Sequence, residues 1–315
     1  MAVLDEKSHT RKPIHTPYDG SSKPFAIGLS PLDPDRWIEP DDDLGIYLAE
    51  KNRLAGIDRN LVFRAELGTE DAQRECLDLL LAHLAERHGA THFRAGSHVE
   101  LGAHRVDVAD GTLPPLYRAG LLVQDDLLIL RRRETGWHLV AAHVSFPSSW
   151  ALDDKIGRPM EEIHAPVPGF QAGTRNASLI NRIFDNLQAS QPVERWNWSI
   201  NRTDDLYLPK SKSGPADPVA PAFEPLKSFV RIERQTLRCL PLSGDIVFTI
   251  RIYSDPIKAV LAHPNSAELA SKFADQLEAL NDDQVLYKGL IDKKNAFVGL
   301  LRGASAQENV ALTEI

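Results

Sequence analysis

Cysteine is almost absent from this 315-residue chain: Cys76 and Cys239 are the only two, and neither belongs to a CxxC pair. Two thiols cannot supply the four ligands of an ordinary iron–sulfur cluster, and they make a structural zinc site or a cytosolic disulfide an unlikely use of either residue. Long hydrophobic runs are missing as well. "DLLLAHLA" and "AGLLVQ" are representative, far short of the roughly 20 apolar residues that span a bilayer. Positive charge is in deficit: 36 Lys and Arg against 44 Asp and Glu leave −8, which argues against nucleic acid or anionic lipid as a partner. No GxGxxG fingerprint offers a dinucleotide site. The opening residues are polar and proline-punctuated, without the apolar stretch of a secretory signal, so a cytoplasmic protein is expected.

What is present suits a globular protein: 43% of the residues are hydrophobic, enough for one large core or two modest ones. Residues 1–43, rich in Pro, Asp and Ser, read as an irregular N-terminal arm. Residues 44–114 read as a helical extension. "LGIYLAEKNRLAG" has a partial apolar stripe, "LVFRAEL" an extended pattern, and "GTEDAQRECLDLLLAHLAERHG" the pattern of a long helix. Thr69 is placed to cap that helix, and Cys76, Leu77, Leu80, Leu81 and Leu84 form its buried face, which makes Cys76 a core residue. His83, His88, His92, His98 and His104 form no HExxH-type pattern and read as surface residues.

From about residue 115 the period changes to two. "AGLLVQDDLLILRRRETGWHLVAAHVSFP" reads as a hairpin; "VERWNWSIN", "SFVRIERQTLRCLP" and "DIVFTIRIYSD" read as three further strands. Between these groups lie short helices. "PSSWALDDKIG" offers Ser148 or Ser149 as a cap, and "NASLINRIFDNLQAS" puts Leu179, Ile180, Ile183, Phe184 and Leu187 on one face. A proline-rich loop over 208–225 interrupts the strands. After residue 259 the chain reads as one amphipathic helix, "SAELASKFADQLEALN" with Ser266 as its cap, and a short polar tail. Two strands, several short helices and three strands over 115–258 are the order of a PAS domain. The expected fold is therefore α+β: a PAS-like five-stranded antiparallel sheet with a helical layer enclosing a heme pocket, plus N-terminal and C-terminal helical extensions.

Within the helical stretch, "EEIHAPVPGF" sets His164 at a helix end, directly before Pro166 and Pro168, which deny the backbone its donors. Two readings fit this spacing. The imidazole caps the helix and meets its dipole, or it is held out as a nitrogen ligand. The helical layer opposite a PAS sheet is where heme sensors present a proximal histidine, and a rigid Pro-Val-Pro segment would limit its swing. His143, in "VAAHVSF", is the rival ligand, although on an apolar strand it reads first as a core residue.

Three stretches, "NWSINRTDDLY", "VRIERQTLRCLPLSGDIVFTIRIY" and "IHAPVPGF", resemble the heme-dependent oxidative N-demethylase family, whose heme-binding subunit of dimethylamine monooxygenase is a PAS domain that became an enzyme. The resemblance spans roughly residues 24–275. It implies heme b with iron held by His164, and oxidative demethylation of a small, dimethylamine-like secondary amine to a primary amine and formaldehyde. It also implies O2 as co-substrate and separate flavin and iron–sulfur reductase subunits as electron donors, in keeping with the two cysteines. A heme-binding gas or redox sensor without turnover is the alternative. Whether copies of the chain form a homo-oligomer is left open.

Under that resemblance, "VRIERQTLR" is the expected polar wall. Alternation puts Arg231, Glu233 and Gln235 on one face, with Val230, Ile232, Arg234 and Thr236 on the other. Glu233 is the candidate for holding the cationic amine. Arg231, Arg234 and Arg251 are candidates for bound oxygen or the heme propionates, since guanidinium offers permanent planar donors; the residues alone do not choose among them. Pro166, Val167, Phe170 and Asn197 are expected to line the cofactor. The alternative for any one of these polar residues is a solvated or internally ion-paired sheet face.

Overall fold

The computed structural model describes residues 12–210 and 223–313, with side chains through residue 306. The proline-rich loop expected over 208–225 lies mostly outside them. The arm contributes β1 (Ser30–Pro31) and a single turn at Pro34–Arg36 in which the Asp33 carboxylate accepts from the Asp35 N–H. Next come α1 (Leu44–Ile57), burying Tyr47, Leu48 and Leu54, then β2 (Phe63–Ala65) and α2 (Glu70–Arg87). Cys76 is fully buried on α2, and desolvation pushes its thiol up to about 12, so it stays protonated and inert at neutral pH. Thr69 stands at the start of α2 but does not cap it. Its hydroxyl donates to the Glu66 carbonyl and accepts from Gln73 Nε2.

Residues 93–107, within the stretch read as a helical extension, form a separate antiparallel sheet of β3 (Phe93–Ala95), β4 (His98–Leu101) and β5 (His104–Asp107). α3 (Pro115–Gly120) leads to the expected hairpin, β6 (Asp126–Arg133) and β7 (Gly136–His143). The helical stretch holds α4 (Met160–Ile163) and α5 (Arg175–Asp185). "PSSWALDDKIG" makes only a single turn at Leu152–Asp154. β8 (Val193–Asn201), β9 (Phe229–Cys239) and β10 (Ile246–Pro256) follow, then α6 (Ile257–Leu261) and α7 (Ser266–Glu278), preceded at its cap position by Asn265. In place of the expected polar tail the chain continues as α8 (Asp282–Tyr287) and α9 (Lys294–Thr313). Phe297 and Leu301 of α9 are completely buried against α7, each contributing about 1.5–3 kcal/mol.

The expectation of a five-stranded PAS-like sheet is corrected. The main sheet has seven strands in the order β1-β8-β9-β10-β6-β7-β2, antiparallel throughout. The strands at its two ends are two and three residues long, too short for an alternation signal, and such short edges also limit open pairing. Helices pack on both faces, not in a single layer. One face carries Leu128, Leu130, Leu139, Leu237 and Ile250 against Met160 of α4 and Phe184 of α5. The other packs at one end on α2 and α3 and at the other on α7 and α9. β9 accordingly reads as a nearly continuous buried run, as strands covered on both faces do.

Candidate functional site

The α4 face of the sheet carries polar groups in its β8 and β9 portion. Asn197 pairs with Glu233, Arg195 with Gln235 and Ser199 with Arg231 across the two strands, so all six side chains share that face. The segment after β7 is folded over them by two anchors. Asp126 accepts backbone N–H bonds from Ser145 (2.7 Å) and Phe146 (3.0 Å). Arg231, completely buried, donates to Ser148 Oγ (2.9 Å) and to the carbonyls of Phe146, Asp205 and Leu206. These bonds bring Ser148 beside Glu233.

α4 is positioned from β7, where Pro159 bridges to His138, and from the core through Met160 and Ile163. His164 occupies its C-cap position; the backbone N–H donates to the Met160 carbonyl at 2.9 Å. The following residues close a turn on it, with Val167 N–H donating to the His164 carbonyl at 2.8 Å. Gly169 at φ +82° supplies the left-handed step that returns Phe170 toward the imidazole, 6.2 Å between ring centroids. Phe170 is buried, Val167 half-buried and Pro166 exposed. The imidazole itself makes no capping bond: among the described residues neither ring nitrogen of His164 has a hydrogen-bond partner.

Desolvation, reinforced by the Lys155 and Arg195 charges, brings the His164 imidazole down to about 4. It is neutral at physiological pH, the form that binds metal. Glu233 is likewise lowered, which for a carboxyl keeps it charged. Burial pushes its carboxyl up, but a Ser148 hydrogen bond, the Arg231 charge and the Asn197 and Gln235 amides outweigh burial and hold it below the ordinary value. Gln235 Nε2 donates to Glu233 Oε2 at 2.8 Å. Lys155, with its Nζ 4.1 Å from the Trp150 ring centroid, is lowered by burial to about 8 although Glu233 and Asp154 favour its charge. Arg195 donates to Gln235 Oε1 and the Ala26 carbonyl, while its buried Nε has no partner. Lys288, after α8, donates to the Trp198 carbonyl and also senses Glu233. Sequence reading missed Ser148 in this role, Lys155, Arg195 and Lys288; period-two alternation with Asn197 was the available signal for Arg195.

The other sequence candidates are placed elsewhere or are already engaged. Arg234 and Arg251 are register partners on the opposite face. Arg234 binds Glu194 and the carbonyls of Arg36 and Trp37; Arg251 binds Asp41 and lies between the Tyr47 and Tyr253 rings. His143 is on that opposite face too, stacked on Tyr117 and pressed against Gly120, where a Cβ would sit 2.0 Å from its Nδ1. Of the histidines expected at the surface, His83 and His92 are buried, bonded to the Ile38 N–H and the Leu122 carbonyl.

The donor chemistry around His164 suits a heme. A neutral imidazole with unpartnered nitrogens can hold iron, and the unpartnered Arg195 Nε and the Lys155 ammonium suit carboxylates on the macrocycle. Clefts of about 570, 740, 180 and 260 Å³ open elsewhere on the chain, and neither His164 nor Glu233 lines any of them. Among the described residues no helix is long and apolar enough to cross a membrane, and no group of three or more His, Cys, Asp or Glu could hold a bare metal ion. A family model described as "Haem-dependent oxidative N-demethylase, alpha subunit-like" matches residues 28–298, a span that contains every residue of the site. The chain belongs to the heme-dependent oxidative N-demethylase, alpha subunit-like family.

Proposed function

We propose that the chain binds heme b through His164 and catalyses oxidative N-demethylation of a small secondary amine such as dimethylamine. The amine, O2, two electrons and two protons give a primary amine, formaldehyde and water. The electrons come from separate flavin and iron–sulfur subunits, since two cysteines provide no cluster here. Bound heme supplies the O2 and one-electron chemistry that no side chain of this chain offers.

The observation that supports the reading is that the Lys155 and Arg195 charges each act on both His164 and Glu233, which puts the candidate ligand and the anionic carboxylate in one electrostatic neighbourhood on the same face of the sheet. His164 binds the metal as a neutral imidazole, without losing a proton. Lys155 and Arg195, if paired with carboxylates of a bound macrocycle, would leave Glu233, with Arg231 and Lys288 still near it, in need of further compensating charge. An ammonium substrate supplies it, and Ser148, Asn197 and Gln235 fix the carboxylate so that the amine is oriented. Phe170, its ring centroid 6.2 Å from that of the imidazole, borders His164 with apolar surface.

The test is a formaldehyde assay on the heme-loaded chain with dimethylamine, a chemical reductant and oxygen. Formaldehyde should form in proportion to the amine consumed and only when all components are present. Heme-loaded protein that releases none above a heme-free control contradicts turnover and points to a gas or redox sensor.

A further inference from the structure

A cleft of about 740 Å³ opens between α2, the sheet of β3–β5 and α3. Phe63 lines it and is the register partner of His143, so the cleft lies on the side of the main sheet away from His164. Part of its lining is apolar, including Leu77, Leu81 and Leu113; part is cationic, with Arg74, Arg94 and Arg118. Arg118 is only 4% exposed. One of its terminal nitrogens donates to the Val108 carbonyl, while its buried Nε has no hydrogen-bond partner. Among the described residues none of the three guanidiniums forms an ion pair.

A buried guanidinium without a direct ion pair is costly even with the charges of Asp110, Asp107 and Asp78 in its neighbourhood, and a second guanidinium beside it adds repulsion. Arg74 is close enough to Arg118 to weaken its hold on the proton, an effect second only to burial. An anion between them removes both penalties. Glu66, Glu70 and Asp78 also line the cleft, Glu66 being engaged by Arg133. Their charge disfavours a multiply charged phosphate and favours a single carboxylate, while the leucines favour a body that water solvates poorly.

We propose that this cleft binds a small amphipathic monocarboxylate, its charge between Arg118 and Arg74 and its apolar body along Leu77, Leu81 and Leu113. The assignment does not depend on the heme reading. Calorimetric titration of the full chain with hexanoate tests it, with hexanol, acetate and inorganic phosphate as comparison probes. Hexanoate should bind once per chain, with each comparison probe weaker by about tenfold or more, because charge and apolar body both contribute. Arg74→Gln, at an exposed position, should weaken hexanoate by about tenfold and leave hexanol unchanged; Arg118→Lys should weaken it likewise. Absence of hexanoate binding overturns the proposal. So does hexanol or phosphate binding as tightly as hexanoate, or an affinity for hexanoate that Arg74→Gln leaves unaltered.

Discussion

Asn197 and Glu233 are direct cross-strand partners on β8 and β9, and Asn197 Nδ2 lies 3.4 Å from Glu233 Oε2. Burial pushes this carboxyl up, and the Ser148 hydrogen bond and Arg231 charge, helped by Asn197 and Gln235, hold it below the ordinary value. Glu233→Gln keeps the shape and removes the charge. It should raise KM for the amine by about 10- to 100-fold, the range for a lost charge-assisted hydrogen bond, while the heme spectrum is retained. An unchanged KM removes Glu233 from amine binding.

Arg231 works on the fold. Its guanidinium satisfies Ser148 and three carbonyls that hold residues 146–148 and 205–206 together. Arg231→Leu strands those acceptors and should cost at least about 3 kcal/mol in urea unfolding. A variant of wild-type stability would show that water satisfies them equally well.

Asp126 gives a pH signature. Burial raises its carboxyl from the ordinary 3.8 to about 6, against the opposing pull of Lys51 and the Ser145 and Phe146 N–H groups. Between those two values the folded chain holds a proton that the unfolded chain has released, so stability falls as pH rises through that window and is level above it. Wild type minus Asp126→Asn should show this fall, up to about 3 kcal/mol, in urea unfolding at a series of pH values. Parallel curves for the two proteins contradict it.

The long strands were legible because β6, β7, β9 and β10 are 8 to 11 residues long and rich in apolar residues between turn signals, and α5 was legible from Ile180, Ile183 and Phe184 on one face. β1, β2 and β3–β5 are two to four residues long, so register with a distant partner defines them and local pattern does not. α9 carries two glycines, Gly299 and Gly303, that weaken a helical signal, although Phe297 and Leu301 stand one helical turn apart. At the site, the helix end and the Pro-Val-Pro turn at His164 could be read locally. Lys155 and Lys288 could not: each acquires its meaning from Glu233, 55 or more residues away in sequence.

The account rests on His164 as the iron ligand, and the absorption spectrum of the heme-reconstituted chain tests it most directly. Wild type should show a Soret band that His164→Ala abolishes or shifts, while His143→Ala, across the sheet, leaves it in place. A His164→Ala protein that binds heme with an unaltered spectrum contradicts the account.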